Sequence, residues 1–319
     1  MSGSSIQPGT SASGQPFSRS RGAEHRYRPP HQLDLALTLR PLARGPLDPT
    51  TRIRTAEVWR ATRTPAGPAS LRLRQEGPEL VAEAWGPGAE WVLDQVPELV
   101  GGLDDLTDFA PRPGLVAELH HRRPGLRICR SRAVFEALVP TILEQKVPGV
   151  QAFGAYRGLI RIFGEPAPGP LGLLLPPSPA TLAALPYWRL HRLDVERRRA
   201  DTIRRAALSF RRLEEVVSMA PEEARARLTA LPGVGAWSAA EVAIRALGDA
   251  DAVSIGDYHL PNLVSWTLAG EARGTDQRML ELLEPYRGHR GRVLRLLEGA
   301  GRPAPRFGPR MALRHFGHA

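Results

Sequence analysis

The sequence LPGVGAWS spans residues 231–238, and this stretch decides the predicted fold. Pro232 cannot continue a helix, while Gly233 and Gly235 can adopt backbone conformations closed to other residues, so the chain can reverse within a few positions. The preceding segment begins with Pro and two Glu, as helices commonly do, and the following segment carries apolar residues at helical spacing. We therefore predict two helices joined by a glycine hairpin within residues 221–247.

The backbone amides of the hairpin are candidates for binding an anion. Amides in such a turn, and at the helix start that follows it, have no intrahelical partner, and small side chains let a phosphate approach them. The candidate residues are Gly233, Val234, Gly235 and Ala236. Amides hold phosphate without reading base sequence. A glycine turn without any ligand is equally compatible with the pattern.

A carboxylate, Asp257, follows the hairpin within the stretch GDYH at residues 256–259. A fixed anion can stabilise positive charge that develops on a reacting group. A helix N-cap is the alternative role, since Asp commonly begins a helix. A phosphate-binding hairpin with a carboxylate at fixed range would suit chemistry on a nucleic acid.

The net charge of +10 over 319 residues points to a polyanionic partner, but most of the excess lies at the two ends. Residues 1–30 contribute +3 and residues 301–319 contribute +4, which leaves +3 for the remainder. Seven arginines stand between residues 193 and 213, and such a run is more typical of a solvated helix face than of a nucleic-acid patch. Charge alone is therefore modest support for nucleic-acid binding.

The single lysine and the single cysteine limit the kinds of catalytic and metal site that the chain can form. Lys146 is the only lysine, so one side-chain amine is available for Schiff-base catalysis. Cys129 is the only cysteine, which excludes an intrachain disulfide, a cysteine-rich zinc site and a four-cysteine iron–sulfur cluster, and we expect it to be buried. Because no apolar run approaches membrane-spanning length and the chain starts with no secretion signal, we expect a soluble cytoplasmic protein.

Composition divides the chain into four parts. They are a disordered tail at 1–30, a small antiparallel-sheet α+β domain at 31–110, a helical core at 111–305 and a basic C-terminal tail at 306–319. Strands are predicted from alternating or β-rich segments at 33–39, 70–74 and 80–85. Helices are predicted at 132–145, 150–163, 193–213, 276–284 and 291–298.

Four segments resemble the helix-hairpin-helix DNA glycosylases, and most closely the bacterial 3-methyladenine DNA glycosylase II branch. They are residues 135–147, 231–238, 253–258 and 285–290, and they match that branch in order and separation. The resemblance implies a mainly α fold with a small N-terminal α+β domain, in which two helical lobes surround a cleft and a helix-hairpin-helix motif grips DNA.

The resemblance assigns roles to the hairpin and its carboxylate. It implies that Asp257 supports loss of a base that has been flipped out of the duplex. Members that also cut the strand typically carry a lysine where this chain has Trp237, so a monofunctional hydrolase is implied.

The base pocket implied by the resemblance contains Trp237 and Tyr258, whose rings can stack on a cationic base. Two further positions that are aromatic in the relative are Glu241 and Glu298 here. An acidic pocket would favour a cationic base or accept its ring donors. Glutamates on a solvated helix face are the alternative.

Two further positions are implied to contact DNA. Lys146 matches the wedge residue that fills the gap left by the flipped base, although an exposed loop lysine is the alternative. Gln145 beside it is placed to hydrogen-bond in the minor groove.

The function implied is hydrolysis of the N-glycosidic bond of alkylated purines such as 3-methyladenine. A glycosylase for oxidised or deaminated purines and a non-catalytic DNA-binding module are the alternatives. The expected partner is double-stranded DNA with damaged bases, bound by a monomer that is nucleoid-associated. No metal and no cofactor are expected, apart from a monovalent cation that the hairpin could hold.

Overall fold

The computed structural model describes residues 22–300, 303–305 and 312–313. Residues 1–21 of the predicted disordered tail lie outside the described residues. Of the predicted basic C-terminal tail at 306–319, only residues 312–313 are described. In the part of the chain that is described, no helix has the length and apolar character needed to cross a membrane.

The N-terminal part contains a five-stranded antiparallel sheet in the order β1-β5-β4-β3-β2. Its strands are β1 Ala23–Tyr27, β2 Thr51–Arg54, β3 Glu57–Thr64, β4 Gly67–Glu76 and β5 Glu79–Trp85. Three short helices accompany the sheet: α1 Leu35–Leu39, α2 Ala89–Asp94 and α3 Val96–Leu99. One apolar core joins the sheet to these helices.

The rest of the described chain is mostly helical. Its helices are α4 Leu115–Arg122, α5 Val134–Glu144, α6 Gly149–Phe163, α7 Pro179–Ala184, α8 Tyr187–His191, α9 Arg197–Leu208, α10 Phe210–Glu214, α11 Pro221–Thr229, α12 Ala236–Val242, α13 Leu260–Ala269, α14 Asp276–Leu283 and α15 Arg290–Glu298. A π-helical turn, Ala243–Leu247, continues α12. Two short strands, β6 Glu165–Pro166 and β7 Leu174–Leu175, pair with each other.

Two apolar cores organise the helices. One is formed by residues of α5 to α12 and the other by residues of α4 and α13 to α15. The predicted mainly helical fold with a small antiparallel sheet is therefore confirmed. The helices predicted at 132–145, 150–163, 276–284 and 291–298 are also confirmed, whereas the segment 193–213 is divided between α9 and α10.

The prediction for residues 33–39 is wrong. The strands expected at 70–74 and 80–85 lie within β4 and β5, but the alternating leucines form helix α1. The Asp34 side chain caps this helix by accepting a hydrogen bond from Leu37 N at 2.9 Å. Leu35 and Leu39 are both buried, and since they are four residues apart, the spacing suits one helix face as well as it suits a strand.

The predicted boundary of the N-terminal tail at residue 30 is also wrong, because β1 lies within it. Ala23–Tyr27 pairs with β5 in register, with His25 opposite Ala82. The β1 side chains are mostly exposed, so the strand lacks the apolar alternation by which strands are recognised. Ladder hydrogen bonds to an existing sheet edge order it instead.

A buried ion pair connects the sheet-containing part to the second helical core. Arg292 of α15 is 1% exposed and donates to Asp104 Oδ2 at 2.9 Å, and Ile128 N donates to the same oxygen at 3.0 Å. A carboxylate with several donors is the usual way in which a buried arginine is compensated.

We expect Asp104→Asn to lower the free energy of unfolding by about 3–5 kcal/mol, because it leaves the buried Arg292 cation uncompensated. Urea unfolding followed by circular dichroism measures this. The control is Glu118→Gln, which makes the same charge change in an exposed pair with Arg122 and should cost at most about 1 kcal/mol. Equal losses in both variants would contradict the role assigned to the buried pair.

Candidate functional site

The stretch 231–238 forms a tight turn between α11 and α12. The turn closes with a hydrogen bond of 2.9 Å from Val234 N to Leu231 O, and the Val234 side chain is buried. Of the four candidate amides, that of Val234 is thus used inside the turn. Within the described chain, the Gly233 and Gly235 amides have no backbone or side-chain acceptor. The predicted pair of helices and their glycine turn are present in the structure.

Gly233 is required by the close approach of α9. Its φ angle is +98°, and a Cβ atom there would overlap the hydroxyl of Thr202. Gly235 differs, because its φ is −102° and a Cβ there would meet no atom within 4 Å. Gly233 therefore allows the turn to pack against α9, and Gly235 leaves the solvent-facing side of the turn unobstructed.

Gln145 holds the hairpin from the side of α5. Its Nε2 donates to Gly233 O and to Ser238 Oγ, both at 2.9 Å. The amide nitrogen predicted to contact DNA is therefore engaged by the protein. Lys146, the next residue, is exposed with a φ angle of +54°, so it stands at a sharp bend beside the hairpin.

Asp257 is held by three N–H donors. The indole Nε1 of Trp237 donates to Oδ2 at 2.9 Å, while His259 N and Leu260 N donate to Oδ1 at 2.7 and 2.9 Å. Leu260 begins α13 and His259 is its N-cap residue, so the Asp257 side chain accepts from the first amides of that helix and also contacts α12. Asp257 is therefore not the N-cap residue that the alternative expected, although it does accept hydrogen bonds from the amides at the start of α13.

Glu241 holds the loop that carries Asp257. It lies one turn after Trp237 on α12, and its Oε1 accepts from Ser254 Oγ at 2.5 Å. Ser254 O in turn accepts from Asp257 N at 3.2 Å. Helix α12 therefore contacts the loop at two points, through Trp237 and through Glu241.

The charge of Glu241 is balanced within the protein. Burial opposes ionisation, but the Arg245 guanidinium and the Ser254 hydroxyl outweigh it and lower the pKa of Glu241. Arg245 also donates to Pro41 O at 3.0 Å, so it is fixed from both sides. Both carboxylate oxygens of Glu241 are engaged by the protein.

The remaining predicted pocket residues are more exposed. Glu298 ends α15, is 43% exposed and pairs with Arg295 at 2.8 Å. It also interacts electrostatically with Arg245. Tyr258 is 73% exposed, and its ring packs edge-on against His259 with centroids 5.0 Å apart.

Three residues that position the site were missed in the sequence. Ser254 and Arg245 bind Glu241, and Asp276 accepts from Gly256 N at 3.1 and 3.0 Å, which fixes the loop from α14. The spacing of Glu241 and Arg245 by four residues is the one local signal among these contacts. The other two join segments that are distant in sequence. Cys129 is free and buried, as predicted.

Comparison with known proteins finds relatives by sequence in Bacillus subtilis and Mycobacterium tuberculosis, whereas no protein-family model matches the chain. A Bacillus subtilis protein that carries the name DNA-3-methyladenine glycosylase YfjP is 25% identical over 166 residues, covering 51% of this chain and 56% of that protein. Mycobacterium tuberculosis AlkA, named as a bifunctional transcriptional activator/DNA repair enzyme, is 33% identical over 142 residues, covering 44% of this chain and 28% of that protein. The chain thus spans about half of the first relative and about a quarter of the second.

Two solved structures share the fold. The 3-methyladenine DNA-glycosylase of Archaeoglobus fulgidus superposes with a TM-score of 0.72 at 21% identity, covering 86% of this chain and 97% of that one. The apo 8-oxoguanine glycosylase/lyase of Clostridium acetobutylicum gives a TM-score of 0.59 at 14% identity, covering 78% and 98%.

The fold is therefore that of the DNA glycosylases, and the resemblance drawn from the sequence is confirmed. Within this class, the chain is similar to the 3-methyladenine DNA glycosylases both in sequence and in structure.

We expect Gly233→Ala to lower the free energy of unfolding by about 2–4 kcal/mol, because a left-handed backbone and an overlap with Thr202 both oppose a Cβ there. Gly235→Ala is the matched control and should cost at most about 1 kcal/mol, since its Cβ points into open space. Denaturant unfolding compares the two. Thr202→Ala combined with Gly233→Ala should recover part of the loss, and failure to do so would contradict the proposed overlap.

Proposed function

We propose that this protein is a monofunctional DNA glycosylase that hydrolyses the N-glycosidic bond of damaged bases flipped out of the duplex, with alkylated purines such as 3-methyladenine as substrates. The observation that carries the proposal is the Asp257 carboxylate, which is fixed by the Trp237 indole and by two amides at the start of α13. It lies between the two helical cores, where the proposed cleft would receive the base.

The proposed role of Asp257 follows from the charge that base loss creates. Cleavage of the bond between sugar and base builds positive charge on the sugar, and an anion already held in place stabilises it without reorganisation. The same carboxylate can orient the attacking water. A base alkylated on a ring nitrogen is already cationic and leaves readily, so one carboxylate suffices and no general acid is required. The names of the relatives support this substrate class.

The hairpin is proposed to hold the DNA backbone as a helix-hairpin-helix motif. The free amides of Gly233 and Gly235, with the amide of Ala236 at the start of α12, are placed for a phosphate. The exposed Lys146 beside the hairpin is the proposed wedge, and Gln145 is proposed to support the hairpin. Binding of this kind is independent of base sequence and sensitive to salt. The proposed place of action is chromosomal DNA, with a nucleoid-associated protein acting as a monomer.

The base pocket is proposed to lie beside Trp237, with Tyr258 at its rim. Glu298 is the acidic group proposed to face a cationic base, because its side chain is half-exposed. Glu241 is proposed to act through the Asp257 loop, since both of its carboxylate oxygens are bound by the protein. Trp237 offers no amine to the sugar, which supports hydrolysis without strand cleavage.

Replacing Asp257 with Asn should lower the rate of base release at least about 10²-fold while leaving lesion binding nearly intact, because the anion is lost and the shape is kept. Single-turnover release from duplexes that each hold one defined lesion measures the rate. Asp105→Asn, an exposed residue outside the site, is the control. Unchanged release by Asp257→Asn would overturn the catalytic assignment.

The same duplexes separate the competing substrates. We expect 3-methyladenine to be released faster than 8-oxoguanine or hypoxanthine. A preference for either of the latter would replace the substrate class and leave the reaction type standing. Lesion binding without release of any base would identify a non-catalytic DNA-binding protein.

The loop contacts made by α12 generate a separate prediction. Trp237→Phe removes the indole donor to Asp257, and Ser254→Ala removes the contact with Glu241, so both should lower the single-turnover release rate by more than they weaken lesion binding. Ser254→Thr keeps the hydroxyl and should restore most of the rate. A loss of binding equal to the loss of rate would show that the loop acts on affinity instead.

Borohydride trapping tests the monofunctional assignment. A hydrolase forms no Schiff base, so no covalent adduct with DNA is expected. An adduct that disappears in Lys146→Ala would show that the only lysine acts as a nucleophile, and would contradict the assignment.

A further inference from the structure

Arginines without acidic partners are concentrated on one part of the first helical core. Residues 149–213 contain eleven arginines and four acidic residues. Two of the eleven, Arg197 and Arg199, pair with an acid. The other nine have no carboxylate partner among the residues that the structure describes. The arginines of β3 and β4, in contrast, are paired with glutamates.

Eight of these nine arginines are exposed. Three of the eight, Arg189, Arg192 and Arg198, lie on α8, directly after it and on α9, and form what we call the arginine flank. Aromatic rings hold two of them. The guanidinium carbon of Arg189 lies 4.9 Å from the centroid of Phe163 and 5.4 Å from that of Trp188, and the guanidinium carbon of Arg192 lies 5.5 Å from Trp188. Stacked guanidiniums have less freedom to lose when they bind an anion, so these groups are prepared for a ligand.

The helix that carries Arg198 contacts the hairpin. Thr202 packs against Gly233, and its hydroxyl donates to Arg198 O at 2.9 Å, so Arg198 lies one helical turn from the hairpin contact. The buried Arg199 donates to Leu143 O at 2.8 Å and to Asp194 O at 3.1 Å. It thereby fixes the loop between α8 and α9 beside the end of α5, which leads directly to Lys146.

We infer that the arginine flank binds backbone phosphates of the duplex to one side of the lesion, as a second DNA contact beyond the hairpin. This inference rests on the proposed function for the position of the DNA. Phosphate fits the observations because the guanidiniums are exposed and lack carboxylate partners within the described chain. The elements that carry them are joined to the hairpin through Thr202 and to the end of α5 through Arg199. Trp188, which is 53% exposed, serves as the platform that orients Arg189 and Arg192.

The test compares two triple variants with the same change in charge. Arg189→Gln, Arg192→Gln and Arg198→Gln remove the arginine flank. Arg28→Gln, Arg52→Gln and Arg54→Gln remove three exposed arginines at the two edges of the sheet. Affinity for undamaged and lesion-containing duplexes is measured as a function of salt, with a short duplex that ends beside the lesion and a duplex extended on both sides. Circular dichroism checks that both variants are folded.

For the extended duplex, the flank variant should give a plot of log affinity against log salt that is shallower by about 2–3 than that of the wild type, since each lost phosphate contact removes about 0.9 from the slope. The control variant and the short duplex should show little change. Base release at saturating DNA should stay at the wild-type rate in both variants.

Equal salt-dependence slopes for the flank variant and the control variant would overturn the inference. It would also be overturned if the flank variant kept the wild-type slope on duplex DNA but lost binding to RNA or to an acidic protein. The outcome is separable from that of the proposed function. If wild-type protein releases no base yet the flank slope changes, the reaction assignment fails and the DNA contact stands. If release is intact and the slopes are equal, only the arginine flank fails.

Discussion

The hydrogen bond between the Trp237 indole and the Asp257 carboxylate connects the two halves of the site. The donor belongs to α12, which packs in the first helical core, and the acceptor lies in the loop that leads into α13 of the second core. An anion held away from water is costly unless donors surround it, and here three N–H groups share that task. Because the donors come from two different helices, the carboxylate stays fixed only while both cores keep their relative position.

Further contacts fix α12, which carries the donor of that bond. The carbonyls in its last turn have no partner within the helix, and Ser131 N and Arg132 N donate to Arg245 O and Ala246 O at 3.1 and 2.9 Å. The segment that leads into α5 is therefore attached to the same helix that carries Trp237 and Glu241.

The sequence predicted what depends on local pattern, namely the glycine turn, the longer helices and the position of Asp257 after the hairpin. It did not predict the partners of Gln145 or Ser254, because each joins segments whose proximity only the fold creates. The strand β1 was missed because its side chains face water and carry no alternation. The leucines before residue 40 led to a wrong strand prediction because their spacing is compatible with a strand and with a helix. In the structure the Asp34 side chain caps the segment as a helix.

The number of arginines in a sequence does not show which of them are free to bind a ligand. A composition counts arginines, but an arginine that faces a glutamate offers little to a ligand, as in β3 and β4. The run between residues 193 and 213 looked like a solvated helix face, and by sequence alone that was the better interpretation. The structure adds the pairing, and it shows that α9, the helix that carries Arg198, contacts Gly233 of the hairpin through Thr202. The inferred contact of the arginine flank with DNA therefore rests on the position of these arginines, rather than on the net charge of +10.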